Sequence, residues 1–322
     1  MYDSVLGLKK PTFGLDIGYQ TLKVMELRGD GQRAKLQGVA EVEIPPKTLG
    51  KDGIKDKKQT AEAIIMAIRK AKPQPIAARL VSSALPESLV FTKSIDLPSM
   101  KIEEINKNIP YQASEFFPMP ANEMYMDWQI VGSIPEKNST SPVTTNKGRS
   151  TGRSTDVLVV AAPKVIINSL AETVKMAGLE LVSLETKPVA DARALISAND
   201  PGPYILLDIG AKTSGIICFD GGIKLTSTIT SSGDDLTENF SLHAKNLSNE
   251  ITHLIKYYQN RIGQATIFRK IILAGGGANI PDLVSAMTEA THIKTEISWP
   301  VIQTKTYNPK FATVIGLAMK RI

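Results

Sequence analysis

The sequence predicts a duplicated α/β fold: two related lobes, with a small subdomain inserted into the first. Three observations predict it. The motif LDIG occurs twice, at Leu15 to Gly18 and Leu207 to Gly210, each time opening a strand–turn–strand–turn–strand pattern. After each repeat, apolar helical stretches alternate with short strand runs, the pattern of sheets covered by helices. The chain has 322 residues, enough for two ordinary cores.

The elements follow in order. Pro11 to Leu27 reads as two strands, with Leu22 and Val24 alternating at strand period, and Gln37 to Ile44 as a third after the turn at Gly29 to Gly31. Pro45 and Pro46 close this meander. Gln59 to Lys72 places Ala61, Ile64, Ile65 and Ile68 on one helical face, and Pro73 and Pro75 end it. A buried strand is expected at Ala77 to Ser82.

From Ala84 to Asp156 the chain reads as an insert. It holds a strand at Leu89 to Ile95, a helix at Lys101 to Phe117 and a strand at Met124 to Val131. Pro110 should kink the helix or split it. Gly132 to Thr155 reads as a disordered tip, and DVLVVAA, Asp156 to Ala162, returns the chain to the main fold. A helix from Lys164 to Ala177 ends at Gly178, a C-cap candidate, before the strand LELVSLE and a helix starting near Pro188.

The second half restarts with Tyr204 to Leu225. A helix from Asp235 to about Arg261 carries Leu247, Ile251, Leu254, Ile255 and Tyr258 as its apolar stripe. RKIILAGGGANIPDL reads as strand, glycine turn and helix, and the last helix, Pro309 to Lys320, begins with a compatible proline. The expected division is residues 1–83 and 157–200 for the first lobe and 84–156 for the insert. The second lobe takes 201–308, and 309–322 forms a C-terminal helix returning to the core.

Composition narrows the class. At 42% hydrophobic and 22% charged, the chain reads as a soluble globular protein. No apolar run approaches the roughly 18 residues of a membrane span, and the opening MYDSVLGLKKP lacks the features of a secretory signal. Cys218 is the single cysteine, which excludes an internal disulfide and a cysteine zinc site, so a cytoplasmic location is expected. The net charge of +6 is partly concentrated at Lys137, Lys147, Arg149 and Arg153, a polar stretch with Glu136 as its acid. It reads as a solvated loop, and with no interleaved aromatics a nucleic-acid partner is not expected. His243, His253 and His292 lack ligand spacing. Trp128 and Trp299 read as core or groove-lining residues.

The chemistry gathers at three turns. Asp16 and Asp208 each end an apolar strand and precede a glycine turn. There a carboxylate can hold magnesium, usually through waters, while backbone N–H groups face phosphate oxygens. One such turn would carry little weight; two, each opening a meander, carry more. The third is AGGGAN, Ala274 to Asn279. Its glycines permit close approach of a flat or anionic ligand, or else make a tight turn with Asn279 as an N-cap. It matches neither the dinucleotide fingerprint nor a Walker A loop.

Two phosphate loops followed by a glycine-rich adenosine loop resemble the actin, sugar-kinase and heat-shock-chaperone superfamily, whose ribonuclease H-like lobes hold nucleotide between them. Within it the chain resembles the PilM family, the actin-like cytoplasmic components of type IV pilus assembly. The likeness is carried by FGLDIGYQTLKVMEL with Lys23 and Glu26, by LPESLVFTKSIDLP and QASEFFPMPANEMYMDWQIVG in the insert, and by TSSGDDLTENF. It covers nearly the whole chain. Tyr19 and Gln20 stand where serine or threonine is more usual. The short interval from Thr237 to Ile271 reduces the second lobe's outer part, which puts nucleotide affinity in doubt.

The resemblance implies ATP and Mg2+ as ligands, with slow or absent hydrolysis. Asp16 and Asp208 would serve the metal. Gly18, Gln20, Thr21, Lys23, Gly210, Lys212 and Thr213 would surround the phosphates, although Lys212 also reads as a plain surface lysine. Ser232, Gly233 and Asp234 would lie near the cleft, and Gly275, Gly276 and Gly277 would contact adenosine. Glu185 is the candidate for orienting an attacking water, against its reading as a structural cap or surface acid. The implied partner is the N-terminal tail of a PilN-type inner-membrane protein. It would lie in a groove between insert and first lobe and hold the chain at the inner face of the cytoplasmic membrane; Phe116, Phe117, Met119 and Met124 are candidate lining but also residues a core would use, which is the better reading for Phe116. Other platform proteins, the assembly ATPases and self-association belong to the same expectation. The competing classes are an FtsA-like division protein, which needs an amphipathic anchor where this chain reads AMKRI, and a sugar-kinase-like phosphotransferase, which needs a base beside a substrate pocket.

Overall fold

The computed structural model describes residues 11–29, 33–45, 48–50, 52–98, 100–135, 153–200, 202–262, 266–302 and 307–320. The chain opens with β1 (Thr12–Ile17), β2 (Thr21–Arg28) and β3 (Lys35–Glu43), then the short β4 (Leu49–Gly50) and β5 (Gly53–Ile54). α1 (Lys57–Lys70) starts where the Asp56 carboxylate accepts the Gln59 amide at 2.8 Å. β6 (Lys72–Pro73) and β7 (Leu80–Leu85) follow.

The insert comprises β8 (Phe91–Pro98), α2 (Ile102–Phe116), β9 (Met124–Pro135) and β10 (Arg153–Pro163). Then come α3 (Lys164–Met176), β11 (Glu180–Thr186) and α4 (Lys187–Leu195). At the end of α3, Gly178 adopts φ +74° while Leu179 N–H donates to Val174 and Gly178 N–H to Lys175, the paired bonds of a glycine C-cap.

The second half holds β12 (Tyr204–Ile209), β13 (Ser214–Phe219), β14 (Ile223–Ile229), α5 (Gly233–Glu238) and α6 (Phe240–Ile262). It ends with β15 (Lys270–Ala274), α7 (Leu283–Thr291), β16 (Thr295–Glu296) and α8 (Ala312–Met319).

The two halves build the same sheet. The first runs β11-β7-β1-β2-β3-β6 and the second β16-β15-β12-β13-β14. In each, the LDIG strand pairs antiparallel with the next strand of its meander and parallel with the strand that follows a helical crossover. β1 is wholly buried and β12 nearly so, because each sits mid-sheet with both faces covered. Asp16 and Asp208 therefore emerge at corresponding strand ends.

Separate apolar clusters fill the first lobe, the second lobe and the insert. Another joins them, taking in Leu27 from the first lobe, Leu206 from the second, Leu158 from the insert, and much of α4 and α8. The insert is a three-stranded sheet, β8-β10-β9, covered by α2. Arg261, at the end of α6, pairs with Asp156 at 2.9 Å and with Asp96, tying the second lobe to it.

Several expected elements differ. Of the two outcomes expected at Pro110, the split does not occur: α2 runs through it as one helix, with Ile105 and Ile109 buried against the insert sheet. The expected tip is shorter, because Gly132 to Pro135 and Arg153 to Thr155 extend β9 and β10; its remainder lies outside the described residues, as do Pro46 and the cationic Lys137, Lys147 and Arg149. The helix expected from Asp235 is two helices. A capping box between Ser232 and Asp235 starts α5, and Asn239 ends it and accepts the Leu242 amide at the start of α6. Trp299 is exposed, tilted against Tyr307.

Candidate functional site

The turns after β1 and β12 are built alike. Gly18 N–H donates to Thr21 O at 2.9 Å, and Gly210 N–H to Thr213 O at 3.0 Å. Both open onto one cavity of about 360 Å³ between the lobes, lined also by the glycine run after β15 and by the first turn of α4. Asp16, Gly18, Gln20, Thr21, Lys23, Asp208, Gly210, Thr213, Gly233, Asp234, Gly275, Gly276 and Gly277 all reach its wall.

Close backbone contact holds the third turn in place. Gly233 N–H donates to Gly210 O at 2.8 Å, and a Cβ on Gly233 would meet Gly277 Cα at 3.5 Å. Gly275 takes φ +81°, a conformation that favours glycine. Gly276 to Asn279 form a 3-10 turn, so α7 begins beyond it at Leu283 and its N-terminus does not follow the glycines directly. Asn279 consequently does not cap α7.

Three expected residues are not on the cavity wall itself. Ser232 is buried and caps α5, its hydroxyl donating to Asp235 at 2.6 Å. Lys212 is exposed and pairs with Asp234 at 2.8 Å. Asp234 also accepts from Gln20 Nε2 at 3.0 Å, so this carboxylate bridges the two lobes beside the cavity. Glu185 is outside the cavity altogether: it pairs with Arg193 at 2.5 Å and Lys320 at 2.9 Å. Its strand faces the insert, and two cations occupy its carboxylate. That corrects its reading as the group that orients water.

The cavity contains charges that the motifs did not announce. Lys187, the first residue of α4, places its Nζ 2.8 Å from Asp16 Oδ1. Burial acts to lower the Lys187 pKa, but Asp16, Asp208 and Asp191 outweigh it and hold it above the ordinary lysine value. Burial likewise acts to raise Asp16, yet Lys187 and Lys23 bring it below the usual carboxylate range. Asp191 is fully buried; Oδ1 accepts from Thr313 at 2.7 Å and Oδ2 has no hydrogen-bond partner among the described residues. Burial, then the neighbouring Asp208, raises its pKa well above normal. Across the cavity Glu41 receives Lys310 and, at 3.6 Å, Lys23.

The donor set fits magnesium poorly. Asp16 is committed to Lys187, and among the described residues no group of three or more His, Cys, Asp or Glu side chains is arranged to hold a metal ion. The Lys187 ammonium is paired with Asp16 and feels the charge of Asp208.

A second cavity, about 450 Å³, lies between the insert and the first lobe. Tyr125 to Gln129 of β9, Val160 of β10, Leu184 of β11 and Val189 of α4 line it, with Ile223 from the second lobe. The aromatic-Pro-x-Pro segment does not. Phe117 packs on Phe91 and the insert core, Phe116 lies exposed beneath Lys93, and Met124 is buried; none of these three, nor Met119, reaches the groove. Trp128 lines it while packing partly against the insert core and donating to Asn106 at 2.9 Å.

Glu87 lies on the wall shared by cavity and groove. One oxygen accepts from Thr226 at 3.0 Å and more weakly from Thr92 at 3.4 Å; the other is buried with no hydrogen-bond partner among the described residues. Burial pushes its pKa from 4.5 to about 7. Between those values the native state holds a proton that the unfolded chain has lost, so stability falls as pH rises across the window. Glu87→Gln removes that loss. Thermal melts should gain about 3–4 °C at pH 8, from roughly 2 kcal/mol, and nothing at pH 4; an equal gain at both would place the carboxyl in water.

Comparison with known proteins gives one family. The model of the type IV pilus assembly protein PilM matches residues 14–239. Among solved structures, the chain is similar to one from a PilM–PilN type IV pilus biogenesis complex, with TM-score 0.77 and 22% identity over 97% of this chain and 98% of that one. It is also similar to the ethanolamine utilization protein EutJ from Carboxydothermus hydrogenoformans, with TM-score 0.51 and 14% identity over 98% and 93%. The fold is actin-like. Among the described residues, no helix is long and apolar enough to cross a membrane.

Proposed function

The chain belongs to the type IV pilus assembly protein PilM family, and from that premise we propose that it is a scaffold which holds ATP between its lobes and docks the N-terminal tail of a PilN-type protein beside its insert. The observation that carries the docking reading is the groove of about 450 Å³. Its walls are apolar at Val160, Leu184 and Val189, and both β9 and β11 are sheet-edge strands. An extended peptide could take backbone hydrogen bonds from such an edge and seat alternate side chains on the apolar wall. A membrane-anchored owner of that peptide would hold the scaffold at the inner face of the cytoplasmic membrane.

The cleft supports the nucleotide part through its two N–H turns and its glycine wall. Hydrolysis would be slow or absent, since Glu185 is engaged in the groove. The magnesium expected with ATP has a competitor in Lys187. The division into a first lobe, an insert at 84–156 and a second lobe with reduced outer part accords with this reading: the insert supplies one groove wall and the lobes enclose the cleft.

Fluorescence anisotropy with a labelled PilN-type N-terminal peptide tests the docking. Tyr125 is exposed on the groove wall, and tyrosine is a frequent anchor at interfaces. Tyr125→Ala and Val160→Asp should each weaken binding at least about tenfold, while Trp299→Ala, exposed outside the groove, should not. Unchanged affinity in both groove variants would place the peptide elsewhere.

A further inference from the structure

A nucleotide-bound divalent ion would sit beside the phosphate-turn carboxylates, and a side chain of this chain is already paired with one of them. Lys187 Nζ lies 2.8 Å from Asp16 Oδ1. Its side chain lines the cavity with Asp16, Asp191 and Asp208, and Asp16 is its one direct partner among the described residues. That contact is an ion pair, and among the described residues Asp16 Oδ1 has no hydrogen-bond partner, so the three N–H donors of the ammonium remain for another acceptor. The lysine is set in place by rigid structure: β11 ends at Thr186 and α4 begins at Lys187, with Pro188 fixing the first turn.

We propose that Lys187 is the cleft's built-in cation, standing where the divalent ion would stand and donating directly to the phosphate oxygens of a nucleotide, which the cleft therefore binds without magnesium. This rests on the nucleotide reading above for its ligand, but the cation's place does not. A fixed ammonium neutralises one carboxylate and offers its N–H donors to phosphate. A magnesium ion would have to displace it from Asp16 and leave a buried, unpaired lysine, a strongly unfavourable exchange. The carboxylates beside it that lack a cation of their own, Asp191 and Asp208, would attract a metal only once the lysine is gone.

Two measurements on the full chain test this. In the first, manganese alone is titrated and followed by electron paramagnetic resonance of the free ion, with no nucleotide present. Wild type should bind no tighter than the millimolar range, and Lys187→Met, which frees the Asp16 carboxylate of its ammonium, at least about tenfold tighter. In the second, ATP is titrated calorimetrically in magnesium and in EDTA. Wild-type affinity should agree within about threefold between the buffers, whereas Lys187→Met should lose at least about tenfold in EDTA; Lys187→Arg keeps the charge and should behave as wild type.

Manganese bound by wild type as tightly as by Lys187→Met, or wild-type ATP binding lost in EDTA, would overturn the proposal. Failure of ATP to bind in either buffer would defeat the nucleotide reading, and the manganese comparison would then decide the place of Lys187. If Lys187→Met fails to fold, the wild-type responses to manganese and to EDTA decide it.

Discussion

Gly316→Val is expected to lower stability by about 4 kcal/mol or more, beyond the range of ordinary substitutions. α8 is almost wholly buried, and Gly316 faces α4 with no room between the backbones. A Cβ there would meet the Ala190 carbonyl carbon at 2.5 Å and its Cα at 2.9 Å. On the other side of α8, a Cβ on Gly14 of β1 would meet Val314 O at 2.6 Å, so the helix cannot retreat toward the sheet. Gly316 O also accepts from Arg193 at 2.9 Å, which links the displacement to the Glu185 ion pair. The melting temperature should fall by about 6–8 °C, or the variant should accumulate as insoluble protein. Gly222→Ala, whose Cβ would meet nothing within 4 Å, should melt within about 1 °C of wild type. Equal melting of the two variants would show α4 and α8 to be separable.

The duplicated turns were legible because strand period, LDIG and glycine spacing are local properties of the chain. They located Asp16, Asp208 and the glycine run without any knowledge of packing. Lys187 and Asp191 were not legible in the same way. They sit on a helix that carries no motif, and they enter the cleft only because β11 places the start of α4 between the lobes. Glu185 shows the converse. Two residues before Lys187 on the same segment, it points to the groove side, and sequence spacing alone could not distinguish the two directions. That α2 is not split follows the same logic, since Pro110 imposes a local cost while Ile105 and Ile109 supply long-range packing. A cavity does lie between the insert and the first lobe, but Phe117, Met119 and Met124, read as lining or as core, are not on its wall, and Phe116, read rather as core, is exposed.

The same dependence on close backbone contact gives the cleft its most discriminating test. Gly277→Ala should weaken ATP binding by about 30-fold, equivalent to about 2 kcal/mol, while Gly276→Ala, one residue away, should change it by less than about threefold. At Gly277 a Cβ would meet Ile209 Cβ at 2.9 Å and Gly233 Cα at 3.3 Å, whereas at Gly276 it would meet nothing within 4 Å. Ile209 is fully buried in the second-lobe core and cannot yield, so the glycine turn must move instead. Its displacement would pull Gly233 from Gly210 O, and with it the second phosphate turn from its partner across the cleft. The comparison separates the ligand from the fold, because both variants carry the same added methyl group and melting curves report whether the core has absorbed it. Equal ATP affinity in the two, with Gly277→Ala melting lower, would mean that the glycine run supports the lobe without touching nucleotide. Affinity lost in Gly277→Ala while its melting stays close to wild type would place the glycine turn against the ligand itself.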